Sequence, residues 1–577
     1  MPVHNRDIAE RFTRLANLLE IEGANPYRVR AYRNAARTIG GLSVDIADLV
    51  AKGEDLTRYP GIGKDLASKI RTLVETGELP DLAEVEKRVP TELSDLMAIE
   101  GLGSRGVKAL YKRLGITGLD DLEEAARAGR IREVERFGEK SEHAILAEIE
   151  KLRGGAPERM RLADAEDVAR PLVEHLTRAE GVEAIEVAGS FRRRKETVGD
   201  LDILVACADS GPAMERFVGF EDVAEVVSQG STRSTVRLAS GLHVDLRAVS
   251  PSSYGAALHY FTGSQAHNIA VRRRGVERGY KINEYGVFLS GGGEEPVAGA
   301  REEEVFERVG LPWIPPELRE DRGEIQAGEQ GELPELVTED DLLGDLHAHT
   351  DATDGADSLR AMAEAAAARG YEYLAVTDHS KRVAMAHGLD ADRLRRQMEE
   401  IDRVNDEGKG ATLLKGCEVD ILEDGSLDLP DDVLAELDLT VCSIHYQMNL
   451  PREKQTERVL RAMDNPHFRI LAHPSGRAIN ERAPMELDME RIIEAAAARG
   501  CVLEVNAQPA RLDLRDVDCR LARERGAMLA LSTDAHSTDN LGLMRFAVDQ
   551  ARRGWVGPGS VVNTRDLGGL REALRRR

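Results

Sequence analysis

The spacing of apolar residues changes character along the chain. Up to about residue 153, apolar positions recur at three and four, as in IAERFTRLANLLEI and DLASKIRTLVETG, with breaks at Gly and Pro. That spacing predicts a region of short helices. Gly154, Gly155, Ala156 and Pro157 together read as a boundary. Beyond it, EAIEVAGS, DLDILVA and VDLRAV predict strands set among helical stretches, an α+β or α/β unit. The segment from about 319 to 341, rich in Gly, Glu, Pro and Gln, predicts an exposed linker. From 342 onward, short apolar runs (YLAVTDH, ATLLKGCEVD, LTVCSIH, FRILAHP, CVLEVNA, AMLALSTDAH) alternate with Ala/Arg/Glu-rich helical patterns. That is the rhythm of a parallel βα barrel.

Composition bounds what these elements do. A chain of 577 residues divides into several domains. With 42% hydrophobic and 31% charged residues it builds real cores and is not generally disordered. The net charge of −25 excludes a globally basic nucleic-acid coat but leaves local basic patches open. No apolar run approaches the roughly 18–20 residues of a membrane helix. The start, MPVHNRDIAERF, lacks the charged segment and apolar core of a signal peptide. No membrane partner is expected. Cys207, Cys417, Cys442, Cys501 and Cys519 are scattered and form no CxxC pair. This argues against a disulfide framework and against cysteine-bound zinc, and a reducing cytoplasm is expected.

Two N-terminal segments repeat one pattern about 40 residues apart: Gly61-Ile62-Gly63-Lys64 and Gly101-Leu102-Gly103-Ser104, each opening a helical stretch. Glycine permits the tight turn, and the free N–H groups of the next helix can face a phosphate. Two readings stand: ordinary tight turns, or the helix-hairpin-helix motif that these segments resemble, which grips DNA backbone without reading sequence. In NPYRVRAYRNAAR, Arg28, Arg30 and Arg33 interleave with Tyr27 and Tyr32. The pattern fits either phosphate contact with base stacking or a solvated helix face over core tyrosines.

A different chemistry follows the glycine-serine pair Gly189-Ser190. Asp200 and Asp202 stand two apart on a strand-like run and so share a face, flanked by apolar neighbours. Buried like charges need a cation or a shared proton. Asp245, on another strand-like run, supplies a third carboxylate. Three such groups can hold two Mg²⁺ ions for phosphoryl transfer. The run Arg192-Arg193-Arg194-Lys195 beside them suits a triphosphate.

The segment GSFRRRKETVGDLDILV resembles the nucleotidyltransferase signature, closest to the DNA polymerase β group of family X. The likeness extends to YFTGS at 260–264 and KINEY at 281–285. It implies that Asp200 and Asp202 bind both metals, Mg²⁺ or Mn²⁺. Asp245 would bind the catalytic one and help deprotonate the primer 3′-hydroxyl. Ser190, Arg193 and Gly199 would cradle the triphosphate, and Tyr260, Phe261 and Gly263 would lie against the sugar and base. Asn268 and Arg272 would meet the minor-groove side of the nascent pair. Better-known members carry an acidic residue where this chain has Gln265. Lys69 falls where the family's Schiff-base lysine lies, which implies a deoxyribose phosphate lyase. Asp65, four residues earlier, would instead raise its pKa and favour phosphate contact.

The last region concentrates histidines at strand-like ends. His347 and His349 share a face, followed by Asp354, His379, Glu418, His445, His473, Asp534 and His536. In a βα barrel these are the C-terminal strand ends where active sites are built. Nine N and O ligands on one rim can hold two or three Zn²⁺ or Mn²⁺ ions. The set resembles the PHP (polymerase and histidinol phosphatase) domain. It implies one metal on His347, His349, Glu418 and Asp534, a second on Glu418 and His445, and a third on Asp354, His379 and His536, with His473 completing the cluster. Asp354 stands where the pattern often has His, which tilts preference toward Mn²⁺. Asp378 is expected to orient His379 or a neighbour. His387 and His467 match no motif position.

The whole chain therefore resembles the bacterial and archaeal PolX family. The expected protein is multidomain: an all-α helix-hairpin-helix N-terminal region, an α+β nucleotidyltransferase palm and thumb, and a C-terminal distorted βα barrel of the PHP type. The expected boundaries are a DNA-binding domain with the first hairpin over 1–90 and fingers with the second over 91–155. They continue with the palm over 156–250, the thumb over 251–319, the linker over 320–341 and the PHP domain over 342–577. The resemblance implies a monomeric repair polymerase acting on gapped or nicked DNA with dNTPs. It adds a PHP 3′–5′ exonuclease whose chemistry extends to abasic-site incision and 3′-phosphate removal. Three alternatives remain: a PHP phosphoesterase carrying an inactive polymerase module as a DNA-binding platform, an end-holding scaffold without turnover, and terminal transfer without a template.

Overall fold

The computed structural model describes residues 5–575 apart from 41, 43–45, 60, 100–101, 136, 139–140, 143–144, 147–148, 150–158 and 293–294. The boundary expected at Gly154–Pro157 and the DNA contact expected at Gly101 lie outside the described residues. The chain divides into two compact units, Met1–Glu158 and Arg159–Arg577.

The first unit is helical throughout its described residues. The three-and-four spacing seen in the sequence becomes the buried faces of helices Asn5–Glu22, Pro26–Gly40, Lys64–Thr76 and Ser104–Leu114. Phe12, Leu15, Tyr32, Ile70 and Leu110 are among the residues it buries. Burying one such side chain contributes about 1.5–3 kcal/mol.

The second unit begins with a five-stranded sheet. Its strands run in the order Val182–Val187, Asp200–Cys207, His243–Val249, Arg233–Leu238, Val223–Gln229. The two central strands pair in parallel and the others antiparallel. Leu201, Ile203 and Val205 pack beneath helices Leu162–Thr177 and Gly211–Val218, so the alternating Asp200 and Asp202 face the other side. Helices Tyr254–Thr262 and Gln265–Glu277 and the hairpin Tyr280–Leu289 follow.

The exposed linker expected at 320–341 does not form. Arg319 and Glu324 are wholly buried, helix Glu324–Gln330 interrupts the segment, and Ile325 and Leu336 enter a core with Phe306, Ile314 and Trp555. The Gly and Glu content that suggested a linker instead supplies turns and buried acceptors. Glu324 accepts hydrogen bonds from the backbone N–H groups of Asp321 and Arg322 and meets His267 Nδ1 at 2.7 Å.

Beyond it, eight short parallel strand segments alternate with helices. They form one sheet of three (Gly344–Ala348, Tyr373–Val376, Thr412–Lys415) and one of five (Glu418–Asp420, Val441–Ser443, Ile470–Leu471, Val502–Asn506, Met528–Ser532). Parallel bridges Ala348–Ala535 and His379–Glu418 join the sheets, closing a distorted barrel. The strands are buried on both faces, which is why they read as continuous apolar runs.

Candidate active sites and nucleic-acid-binding motifs

In the first unit, Gly63 and Gly103 are the N-caps of helices Lys64–Thr76 and Ser104–Leu114. Both have ordinary negative φ (−82° and −76°), and a Cβ added at either would meet nothing within 4 Å. Neither backbone strain nor a described protein neighbour demands glycine there, and the bare backbone at each helix start is open. Gly61 differs: its φ of +81° requires glycine for the turn itself. Ala31, Thr57 and Arg58 join Gly61, Gly63 and Lys64 around one surface recess.

The basic-aromatic helix is largely committed inward. Tyr32 is buried and donates to Asp81, Arg28 pairs with Asp81 at 2.9 Å, and Arg33 pairs with Glu20. Tyr27 remains exposed, with the Arg30 guanidinium 4.7 Å from its ring centroid. Lys69 is held by Asp65 at 2.6 Å, Tyr32 at 3.0 Å and Asp81 at 3.1 Å. Burial alone would lower its pKa, but these partners raise it well above the usual lysine range. A Schiff-base lysine must be free and partly neutral, so these partners favour phosphate contact at Lys69 over lyase chemistry, the preference the sequence also gives.

In the palm, the parallel register sets Asp202 directly opposite Asp245 and Asp200 opposite His243. Gly189, at φ +63°, lets the preceding turn close over this pair: a Cβ there would stand 3.0 Å from Asp202 Oδ2. Burial first, then repulsion from Asp200 and Asp245, pushes Asp202 up to about 7. A carboxyl so placed fits a cation. Asp245 faces a competitor, since Arg233 reaches it at 2.6 Å, Thr235 donates to it, and Arg247 lies 3.6 Å away. Among the described residues, the tight clusters of metal-ligand atoms lie elsewhere, not on the palm carboxylates.

Beside them opens a cleft of about 550 Å³. Ser190, Arg193, Asp200, Asp202, Tyr260, Phe261, Gly263, Gln265, Asn268 and Arg272 line it, together with Arg159 and Lys195. Arg159 escaped the sequence reading, because nothing local marks it; its guanidinium is held by Thr197. Gly199, expected to cradle a triphosphate, is not among the lining residues and instead faces Arg159. The basic run splits by turn geometry. Arg193 and Lys195 reach the cleft, while Arg192 pairs with Glu302 at 2.8 Å and Arg194 with Asp549 and Glu166, both at 2.6 Å. Asn268 donates to the Tyr260 carbonyl at 2.6 Å, and its buried Oδ1 makes no hydrogen bond.

The barrel rim gathers its ligand candidates. Three overlapping groups each place their ligand atoms within 4.8 Å of one another: His347, His349 and Asp534; His379, Glu418 and His445; His349, Asp354, His379 and His536. Glu418 stands between the first two groups, 3.6 Å from both His347 and His349, and His473 meets it at 3.0 Å. At His379 and His445 burial pulls the imidazoles down, but neighbouring carboxylates more than reverse this, raising them to about 10 and about 9; at His349 burial prevails and the pKa is lowered. Such crowded nitrogens and carboxylates suit divalent cations. His473 and Asp534 adopt positive φ (+27° and +51°), a backbone strain that non-glycine residues carry mainly at functional sites.

Buried carboxylates behind the rim orient these ligands. Glu504 Oε1 takes His347 Nδ1 at 2.7 Å, which leaves Nε2 to face the site, and its other oxygen accepts the His473 N–H at 2.6 Å. Asp513 accepts the N–H groups of Ser475 and Gly476, just past His473. Asp345 receives Thr533, next to Asp534. None of the three was singled out from the sequence. Their signal was a charged residue inside an apolar strand or its flank, as in VLEVN. Asp378 does not orient His379; it takes the Thr350 N–H at 2.8 Å and the Thr353 hydroxyl, bracing the loop that carries Asp354. His387 and His467 belong to none of the ligand groups.

A nucleotidyltransferase-type palm and a metal-binding phosphoesterase-type barrel in one compact unit define a two-site enzyme of phosphoryl transfer. Family models match in the same order: "Helix-hairpin-helix domain" over 3–79, "SAM-like Helix-hairpin-helix tandem" over 93–151, "DNA polymerase beta thumb" over 257–320 and "PHP domain" over 345–507. The "DNA polymerase/3'-5' exonuclease PolX" of Bacillus subtilis is 38% identical over 576 residues, covering 100% of both chains. A "Probable phosphatase" of Syntrophotalea carbinolica is 31% identical over 231 residues, 38% of this chain and 90% of that protein. The chain belongs to the PolX family.

Proposed function

We propose that this protein is a DNA-repair polymerase that fills short gaps by template-directed dNTP addition and trims 3′ ends by hydrolysis in its barrel. The observation that carries the reading is the pairing, within one unit, of a carboxylate-and-cation cleft with a separate rim of eight clustered ligand candidates and His473 against Glu418. The full-length likeness to PolX of Bacillus subtilis supports it.

In the cleft, Arg159, Arg193 and Lys195 supply positive charge for a triphosphate, with Ser190 beside them. Tyr260 and Phe261, 5.1 Å apart edge to face, offer apolar surface to sugar and base, and Asn268 and Arg272 meet the new pair. Mg²⁺ or Mn²⁺ on Asp200, Asp202 and Asp245 would activate the primer 3′-hydroxyl and stabilise the leaving oxygen. Arg233 must yield Asp245 for that set to form.

In the barrel, two or three Mn²⁺ or Zn²⁺ ions on the nine rim residues would polarise a scissile phosphate and activate water. Glu504 fixes the His347 ring, and Asp513 fixes the turn after His473. His347, His349 and Glu418 are fully enclosed, whereas Asp354 and His536 are about one-third exposed. The 3′ end enters on that open side. The substrate is gapped or nicked DNA, and the chain acts as a cytoplasmic monomer. The reading does not extend to a lyase at Lys69.

The test follows a 5′-labelled primer in a one-nucleotide gap with Mn²⁺, with and without dNTPs. Extension with dNTPs and stepwise shortening without them support both sites. Shortening alone removes the polymerase reading and leaves a phosphoesterase on a DNA-binding platform.

A further inference from the structure

The barrel helix Met544–Arg553 turns one face toward the polymerase part of the same unit. Arg545 pairs with Glu166, Asp549 with Arg194 at 2.6 Å, Arg552 with Glu317 at 2.7 Å, and Arg553 with Glu320 at 3.2 Å. In the first three, Glu166 and Asp549 share Arg194, Arg545 also holds Glu166, and none of these side chains lines the cleft. The last is different, because Glu320 Oε1 also accepts from Arg193 Nε at 3.1 Å, and Arg193 lines the nucleotide cleft.

Arg553 is almost fully buried and makes three polar contacts. It donates to Glu320, to Asp516 at 2.8 Å, and to the main-chain carbonyl of Arg193 itself at 2.7 Å. Asp516 is also held by Arg322 at 2.9 Å, so Arg553 is anchored from its far side. Arg193 has a second bond, from Nη1 to the Thr262 carbonyl at 2.6 Å, which points its guanidinium along the YFTGS turn. Phosphates in the cleft compete with Glu320 for the Arg193 guanidinium. A buried carboxylate left without a cation is strongly unfavourable. Glu320 is not left so, because the barrel arginine stays on the same oxygen. Burial would raise Glu320, yet Arg553 first, then Arg193 and Lys195, hold it at about 2, so it stays ionised throughout.

We propose that Arg553, a residue of the barrel, is a positioning residue for the polymerase: it neutralises Glu320 and so releases Arg193 to the triphosphate of the incoming nucleotide. The inference rests on the reading of the cleft as the dNTP site. It makes dNTP affinity depend on the barrel without any role for the barrel's metals.

The experiment measures KM and kcat for dNTP in one-nucleotide gap filling by the full chain. The exonuclease rate of each variant serves as a folding control. Arg553→Met is expected to raise KM on the order of tenfold with kcat little changed, because Glu320 then holds Arg193 alone. Arg553→Lys recovers most of the loss. Glu320→Gln lowers KM in the parent chain and cancels the Arg553→Met effect in the double variant. An unchanged KM in Arg553→Met overturns the proposal, as does a Glu320→Gln variant whose KM rises. Should Arg553→Met also lose exonuclease, Arg553→Lys and Glu320→Gln decide alone. Arg193→Met separates the two claims: if it leaves KM unchanged, the dNTP reading of the cleft fails as well. If it raises KM while Arg553→Met does not, only the positioning role fails.

Discussion

In the barrel, ligand side chains from successive strand ends already touch one another, and buried carboxylates fix their rings from behind. In the palm, Asp202 and Asp245 lie in register, but Asp245 is engaged by Arg233, and burial with its acidic neighbours pushes Asp202 up to about 7. The barrel is a preorganised site, whose geometry is set by the fold. The palm is an assembled site, whose last contacts are exchanged when cation and substrate arrive. The difference follows from burial. His347 and His349 are fully enclosed and cannot adopt another arrangement, whereas Arg233 is half exposed and can swing away.

The largest effect expected from this contrast is at Glu504. Glu504→Gln disturbs the His347 and His473 geometry and should lower exonuclease rate or metal affinity by about 10- to 100-fold. Gap filling stays intact, so both rates are measured on one preparation. Glu504 touches none of the palm aspartates in the described contacts, so an equal loss in both activities would erase the contrast.

The next effect is in proton uptake. Asp202 is raised, so the folded chain keeps a proton that the unfolded chain gives up near 3.8. Its contribution to stability is full below that pH and falls away as pH climbs through 7. Cation binding at the palm should therefore release roughly one proton at about pH 6 and fewer at about pH 8. Calorimetry in buffers of different ionisation enthalpy measures this as the difference between the parent chain and Asp202→Asn. No difference would place Asp202 outside the cation site.

A smaller change is expected at Arg233. Removing its charge frees Asp245, so Arg233→Gln should lower the Mg²⁺ concentration for half-maximal gap filling by about threefold, a partly exposed pair being weak. A higher requirement would mean that Arg233 helps build the site. The smallest effect on folding is at the hairpins. Gly63→Ala and Gly103→Ala meet open space and should cost less than about 1 kcal/mol of stability. DNA affinity at low salt should nevertheless fall in both, as measured by fluorescence anisotropy; unchanged affinity would leave them ordinary turns.

Local spacing made both sites legible in outline. Asp200 and Asp202 share a face because a strand repeats every two residues, and the histidines fell at strand ends because a barrel puts them there. What stayed hidden was set by partners distant in sequence. The run Arg192–Lys195 read as one triphosphate grip, but Arg192 is claimed by Glu302, 110 positions on, and Arg194 by Asp549, 355 positions on. Glu504 looked like one more charge in a strand until His347, 157 positions away, gave it a role. The segment after Arg319 looked soluble because its buried charges, Glu320 and Glu324, find partners only in the folded chain.

The central claim is that one chain carries two chemically independent sites. The direct test compares Asp202→Ala and Glu418→Ala on the same gapped substrate, measuring extension and 3′ shortening in parallel. Asp202→Ala is expected to lose extension by about 10³-fold or more while shortening persists, and Glu418→Ala to do the reverse. Loss of both activities in either variant would contradict it.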